Sequence, residues 1–125
     1  MLNTKNRINM NAEELKSRTK QFAIDIGMLT QLLPENRINN AYCNQLVRSS
    51  SSVGANYRAA RRAKSKADHI NKLKIVEEEL DESLYFLELL LVFNPTFEEK
   101  INSIYQMGEP LLRIIVATLV TLRNK

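Results

Sequence analysis

Apolar residues recur at helical spacing in four separate runs of this chain, and each run opens with its own start signal. Leu15, Phe22, Ile26, Leu29 and Leu33 form the first run, with Asn11 and Glu14 as a capping pair before it and Pro34 to stop it. The second begins near Glu35 or Asn36 and puts Ile38, Tyr42, Leu46, Val53, Tyr57 and Ala60 on one face. Ser65 with Asp68 opens the third, whose inner positions are Ile70, Leu73, Val76, Leu80, Leu84, Leu87 and Leu91 before "NPT" ends it. Thr96 with Glu99 reads as a further capping box, and Phe97, Ile101, Ile104, Gly108, Leu111, Ile115, Leu119 and Leu122 then line up. No stretch alternates with the period of a half-buried strand, and links of a few residues favour antiparallel neighbours. The expected fold is all-α: an antiparallel up-down-up-down four-helix bundle. It forms a single domain over residues 11–125, behind a loose N-terminal arm at residues 1–10. Pro110 lies well inside the fourth run, where it removes a backbone hydrogen bond and crowds the carbonyl of Gln106, so a kink is expected there.

A chain of 125 residues can bury one core without staples. Cys43 is the only cysteine, which excludes an intrachain disulfide, and the N-terminus shows no basic-then-apolar leader; a cytoplasmic location is expected. The most apolar runs, "LLLVFNPTF" and "IIVATLVTL", are far shorter than the about 20 residues a membrane-spanning helix needs, so no membrane partner is expected. The net charge of +4 conceals a division. Residues 1–74 carry 14 basic and 5 acidic side chains, whereas residues 75–125 carry 4 and 9. Such polarity suits an anionic ligand or self-association of opposite faces.

The stretch "RSSSSVGANYRAARRAKS", Arg48 to Ser65, holds residues that usually punctuate loops inside an otherwise helical pattern. Leu46, Val53 and Tyr57 keep the helical register through it, so it is not a linker. The face opposite them carries Val47, Ser51, Gly54 and Ala55 and continues into Arg58 and Arg62, where an outward bundle face is ordinarily long and charged. Gly54 costs roughly 1 kcal/mol of helix propensity against alanine. Small side chains permit close approach of another backbone, either within the monomer or from a second subunit. The third run favours the second subunit, because "SLYFLELLLVF" is apolar nearly all round except for Glu88, and such a helix is normally buried. Val47, Ser51, Gly54 and Ala55 are therefore the expected contacts of a homo-oligomer.

Enzyme chemistry finds little support. His69 and Cys43 have no evident acid to complete a nucleophile, base and orienter arrangement, and Lys66 stands where a dimetal bundle needs the glutamate of a Glu-x-x-His pair. "SSVGAN" lacks the glycine and lysine spacing of a phosphate loop. In the acidic run "EEELDE", Glu78 and Glu82 share a face with Lys74, which reads as a solvated, partly paired surface. Asp25 sits beside an apolar stripe, with an arginine as its expected partner. No catalytic residue, metal or cofactor is expected. The strongest functional signal is the basic run of Arg58, Arg61, Arg62, Lys64, Lys66, Lys72 and Lys74 against Asp68 alone. Cations near the end of a helix complement its dipole, and Asp68 can pair with Lys72. Neither effect explains Lys66, in the first turn of the third helix. A phosphate-contacting patch at the turn explains the whole run, with little sequence preference and little base stacking, since Tyr57 is its only aromatic.

The segment "QLVRSSSSVGANYRAARRAKSKADHINKLKIVEEELDESLYFLELL" resembles the four-helix-bundle family of the ribosomal RNA intervening-sequence proteins, which carries a ribosomal-protein-type label. The likeness runs from about Phe22 to Leu122 and is sharpest in Gln45, Leu46, Arg48, Ser52, Val53 and Asn56, followed by the Glu-rich third helix. Many members continue after the asparagine with Ile-Ala-Glu-Gly where this chain has "YRAA", so a role tied to that glutamate and glycine does not carry over. The resemblance implies an antiparallel bundle assembled as a homo-oligomer, typically a pentameric ring, without enzymatic activity. A more distant similarity to the accessory proteins of diversity-generating retroelements implies contact with RNA or with a nucleic-acid enzyme. The function expected is thus a non-enzymatic oligomer that binds nucleic acid, RNA foremost, through Arg58, Arg61, Arg62, Lys64 and Lys66. The alternative is an interaction module that docks onto a nucleic-acid enzyme or another acidic protein.

Overall fold

The structure is a computed structural model that describes residues 10–125. Four helices carry the chain: α1 (Ala12–Leu32), α2 (Arg37–Arg61), α3 (Lys66–Phe93) and α4 (Glu98–Arg123), with a short 3-10 turn at Pro95–Phe97. No strand occurs among the described residues. Residues 1–9 of the expected arm lie outside the described residues, whereas Met10, its last residue, packs against the core.

Three of the four expected starts are built as the spacing indicates. The side chains of Asn11, Asn36 and Ser65 accept from the backbone N–H groups of Glu14, Asn39 and Asp68 at 2.8, 2.8 and 3.0 Å. Each satisfies one of the four donors that a helix start leaves open. The fourth start differs. Pro95 opens the 3-10 turn, closed by the Phe97 N–H donating to the Asn94 carbonyl at 2.9 Å, and α4 begins at Glu98 without a side-chain cap. Thr96 is held inside that turn and caps nothing, because proline supplies the preset φ one residue before the threonine. Farther on, α4 runs through Pro110 without a break.

Each helix packs on two others, with α2 against α3 the most extensive contact and α4 closing against α1. Phe22, Ile26, Leu46, Val53, Leu73, Leu80, Leu87, Leu90, Ile101, Leu111, Ile115 and Leu119 are fully buried between them. Each such side chain contributes about 1.5–3 kcal/mol by leaving water. Gly108 is buried where α4 crosses the Phe22 ring: a β-carbon there would lie 2.7 Å from Phe22 Cε1 and 3.0 Å from Leu84 Cδ2.

Polar pairs tie the helices across this core. Asn39 and Asn94 exchange side-chain amide hydrogen bonds of 2.9 and 2.8 Å, while their amides also donate to the carbonyls of Pro34 and Leu90. The Ser49 and Ser83 hydroxyls meet at 2.8 Å. Two inward positions differ from the expected register. Asn39, held by Asn94, is buried and leaves Ile38 at the edge, exposed; Leu90 rather than Leu91 is the fully buried leucine of that turn. Asp25 accepts from Gln21 Nε2 at 2.8 Å instead of pairing with an arginine.

Candidate functional site

The link between α2 and α3 is short and tightly closed. Backbone N–H groups of Arg62 and Ala63 donate to the carbonyls of Ala59 and Ala60 at 3.1 and 3.2 Å. His69 Nδ1–H donates to the Ala60 carbonyl at 2.8 Å, so the lone histidine fastens the first turn of α3 to the end of α2. On this closed turn Arg58, Arg61, Arg62 and Lys64 are all exposed, and none enters an ion pair among the described residues. Lys66 differs from them. Its ammonium donates to the carbonyl of Lys125 at 2.8 Å, which gives its place in the first turn of α3 a structural partner that the sequence did not reveal.

Arg58 also belongs to a second feature. Between α1 and α2 runs a groove of about 260 Å³ lined by Lys16, Thr19, Lys20, Ala23, Ser51, Gly54, Ala55 and Arg58. A β-carbon on Gly54 would meet the Thr19 hydroxyl at 3.6 Å and the Lys20 nitrogen at 3.7 Å, so this glycine borders the neighbouring helix of its own chain. Ser51 and Ala55 face outward in the groove, and Val47 is 41% exposed. The residues expected to meet another subunit therefore divide, Gly54 against α1 and the other three toward solvent. Lys16 and Lys20 entered no sequence-based expectation. Their only signal was a pair of cations four residues apart beside the apolar stripe, which reads as ordinary solvated surface.

Nearby titratable groups report the local field. Burial pushes the Tyr57 phenol above its ordinary value; the Arg61 charge pulls it back and Glu13 adds to the rise. Arg61 and Glu13 thus both act on the same phenol. Across the molecule, burial and a 3.0 Å hydrogen bond to Glu88 raise the Tyr105 phenol, helped by the charges of Glu109 and Asp81. The charges acting on Tyr105 are therefore all carboxylates, whereas Tyr57 feels a cation and a carboxylate together.

The acidic run of α3 is partly paired, through a different cation from the one its spacing suggested. Arg48 of α2 reaches both Glu79, at 3.1 Å, and Glu82, and also donates to Gln45 at 3.2 Å. Lys74 and Glu78 form no ion pair among the described residues. The Asn56 amide donates to the carbonyl and hydroxyl of Ser52, both at 2.9 Å. Gln45, Leu46, Arg48, Ser52, Val53 and Asn56 therefore hold α2 in shape or join it to α3, and the Glu-rich helix that follows supplies the partners of Arg48. No three His, Cys, Asp or Glu side chains gather to hold a metal ion among the described residues.

That helix-joining set falls within residues 13–117, which match the family described as 23S rRNA-intervening sequence protein. The chain belongs to this family. Within the intervening-sequence protein fold, a comparable solved structure comes from Bacteroides thetaiotaomicron, a protein of unknown function from the S23 ribosomal protein family at 1.70 Å resolution. The two chains are 31% identical and superpose with a TM-score of 0.77, covering 89% of this intervening-sequence protein and 99% of the other. No curated protein matches the chain. None of its described helices is long and apolar enough to cross a membrane.

Proposed function

We propose that this intervening-sequence protein is a non-enzymatic, cytoplasmic oligomer that binds nucleic acid, RNA foremost, through the turn between α2 and α3. The observation that carries the reading is that Arg58, Arg61, Arg62 and Lys64 stand exposed on a rigidly closed turn with no carboxylate bound to them. Cations held in no ion pair remain available to phosphates, and the affinity they give is largely indifferent to sequence. Lys66 joins the patch with part of its donor capacity taken by Lys125.

The bundle is read as antiparallel, up-down-up-down. Supporting relations come in pairs: Asn39–Asn94 with Ser49–Ser83, Gly54–Thr19 with Tyr57 in the field of Glu13, and Tyr105–Glu88 with Gly108–Leu84; within each pair numbers rise along one helix as they fall along its neighbour. Self-association, in the pentameric ring that the resemblance implies, is favoured by the outer face of α3, where Val92, Tyr85 and Phe93 are 71, 55 and 52% exposed. Exposed apolar patches of this kind commonly mark interaction sites. The same patch supports a second function, docking onto a partner enzyme.

A mobility titration separates the two functions. Reversal of Arg61, Arg62 and Lys64 to glutamate is expected to abolish the shift of a generic RNA while leaving helix content intact. A wild type that shifts no RNA or DNA at low salt removes the nucleic-acid function and leaves docking.

A further inference from the structure

We infer that the groove between α1 and α2 is a phosphate-binding track that takes one strand of nucleic acid leaving the α2–α3 turn, with Lys16 and Lys20 as its phosphate contacts and Arg58 as the residue common to groove and turn. This inference rests on the nucleic-acid function proposed above and extends it to residues of a different helix.

The lining has a consistent chemistry. Three cations, Lys16, Lys20 and Arg58, rim a floor of Ala23, Ser51, Gly54 and Ala55, and no carboxylate is among the lining residues. None of the three cations enters an ion pair among the described residues. Lys16 and Lys20 are four residues apart on α1, so they lie on one face about 5–6 Å apart between β-carbons, and Arg62 follows Arg58 just past the end of α2. The track therefore continues from Arg62 through Arg58 to Lys16 and then Lys20, because Gly54, one turn before Arg58, borders Thr19 and Lys20. The short floor residues let a backbone approach closely, and Gly54 removes the one β-carbon that would stand over Thr19 and Lys20. At about 260 Å³ the groove is smaller than the roughly 300–1,000 Å³ of drug-sized sites, enough for a sugar-phosphate segment but too small to seat a duplex. No aromatic residue lines it, so bases remain unread and contact is to the backbone.

Two other occupants fit a cationic groove less well. A second copy of the chain would have to present carboxylates, and several are engaged: Glu79 and Glu82 are held by Arg48, Glu109 by Arg113, and Glu88 accepts from Tyr105. An acidic protein segment would need polar partners for its backbone, and besides its cations the lining offers only the hydroxyls of Ser51 and Thr19, the latter already donating to the Lys16 carbonyl.

The test uses the full chain, a labelled 20-nucleotide oligouridylate, and a 20-base-pair duplex RNA as competitor. Lys16→Gln with Lys20→Gln keeps good helix formers at exposed positions. Loss of two single-strand phosphate contacts should make the log–log salt slope shallower by about 1.4, so a rise from 50 to 200 mM salt costs the wild type about sevenfold more affinity than the variant. Duplex RNA should compete poorly. Helix content and sedimentation should be unchanged. A slope equal to wild type in the Gln variant, with binding still lost on reversing Arg61, Arg62 and Lys64, overturns the groove and spares the turn. Absence of binding by the wild type overturns both. A change of assembly state in the Gln variant, or in Ala55→Leu with RNA binding per subunit intact, assigns the groove to a second copy and overturns the track. Loss of an acidic protein partner without loss of RNA binding overturns it also.

Discussion

Three glycines with the same helical backbone have three different surroundings. Gly108 faces the Phe22 ring and Leu84 at contact distances that leave no space for a methyl group, and Phe22 is wholly buried. Alanine there gains about 1 kcal/mol of helix propensity but overpacks a core that resists displacement, at a cost of about 1–3 kcal/mol. Gly108→Ala is therefore expected to lower the urea midpoint. Gly27 meets nothing within 4 Å, so Gly27→Ala should raise the midpoint by up to about 1 kcal/mol in stability. A gain at Gly108 would mean that Phe22 can move. The phenol of Tyr57 gives a second expectation, tied to pH. Burial raises its folded value above that of the unfolded chain, so the neutral form stabilises the fold below about pH 10 and that contribution is lost as pH rises through the folded value. Tyr57→Phe should flatten the alkaline decline of the thermal midpoint, and a profile unchanged by the substitution would contradict the assignment. Burial raises the Cys43 thiol as well, which should make its alkylation at pH 8 slower than in the denatured chain.

At the level of elements, the helices were legible because their signals are local. Asn11, Asn36 and Ser65 cap through a side-chain oxygen that reaches a backbone N–H three residues on, a relation that sequence spacing contains. Thr96 shows where that logic stops: Pro95 began a turn first, and Asn94, drawn inward by Asn39, set its direction. The amide pair joins positions 55 residues apart, and nothing in a periodic pattern reports it. The same holds for Lys66 with Lys125 and for Arg48 with Glu79 and Glu82. The basic turn was legible because its cations are contiguous in sequence; the groove was not, because Lys16 and Lys20 come from another helix. For Asn39 and Asn94, truncating one partner strands a buried amide at about 1–3 kcal/mol. A double-mutant cycle with Asn39→Ala and Asn94→Ala should return a coupling of about 0.5–3 kcal/mol. Simple additivity would show that the two amides act independently.

Over the whole molecule, packing and charge have separate carriers. The residues that carry the family likeness hold α2 in shape or fasten it to α3, whereas the exposed cations of the α2–α3 turn carry no such internal duty apart from Lys66. Substitutions in the two sets should accordingly have different effects, on stability for the first and on association for the second. The carboxylates of Glu88, Glu109 and Asp81 act together around Tyr105, a setting that disfavours an anion there. The most direct measurement is the affinity of the full chain for a generic single-stranded RNA across a series of potassium chloride concentrations. If Arg58, Arg61, Arg62 and Lys64 each neutralise a phosphate, the logarithm of the association constant falls linearly with the logarithm of salt, with a slope of about −2.8 or steeper at about −0.7 per contact. Reversing Arg61, Arg62 and Lys64 should remove most of that slope. No measurable binding at low salt, or a slope near zero in the wild type, would contradict a phosphate-binding turn.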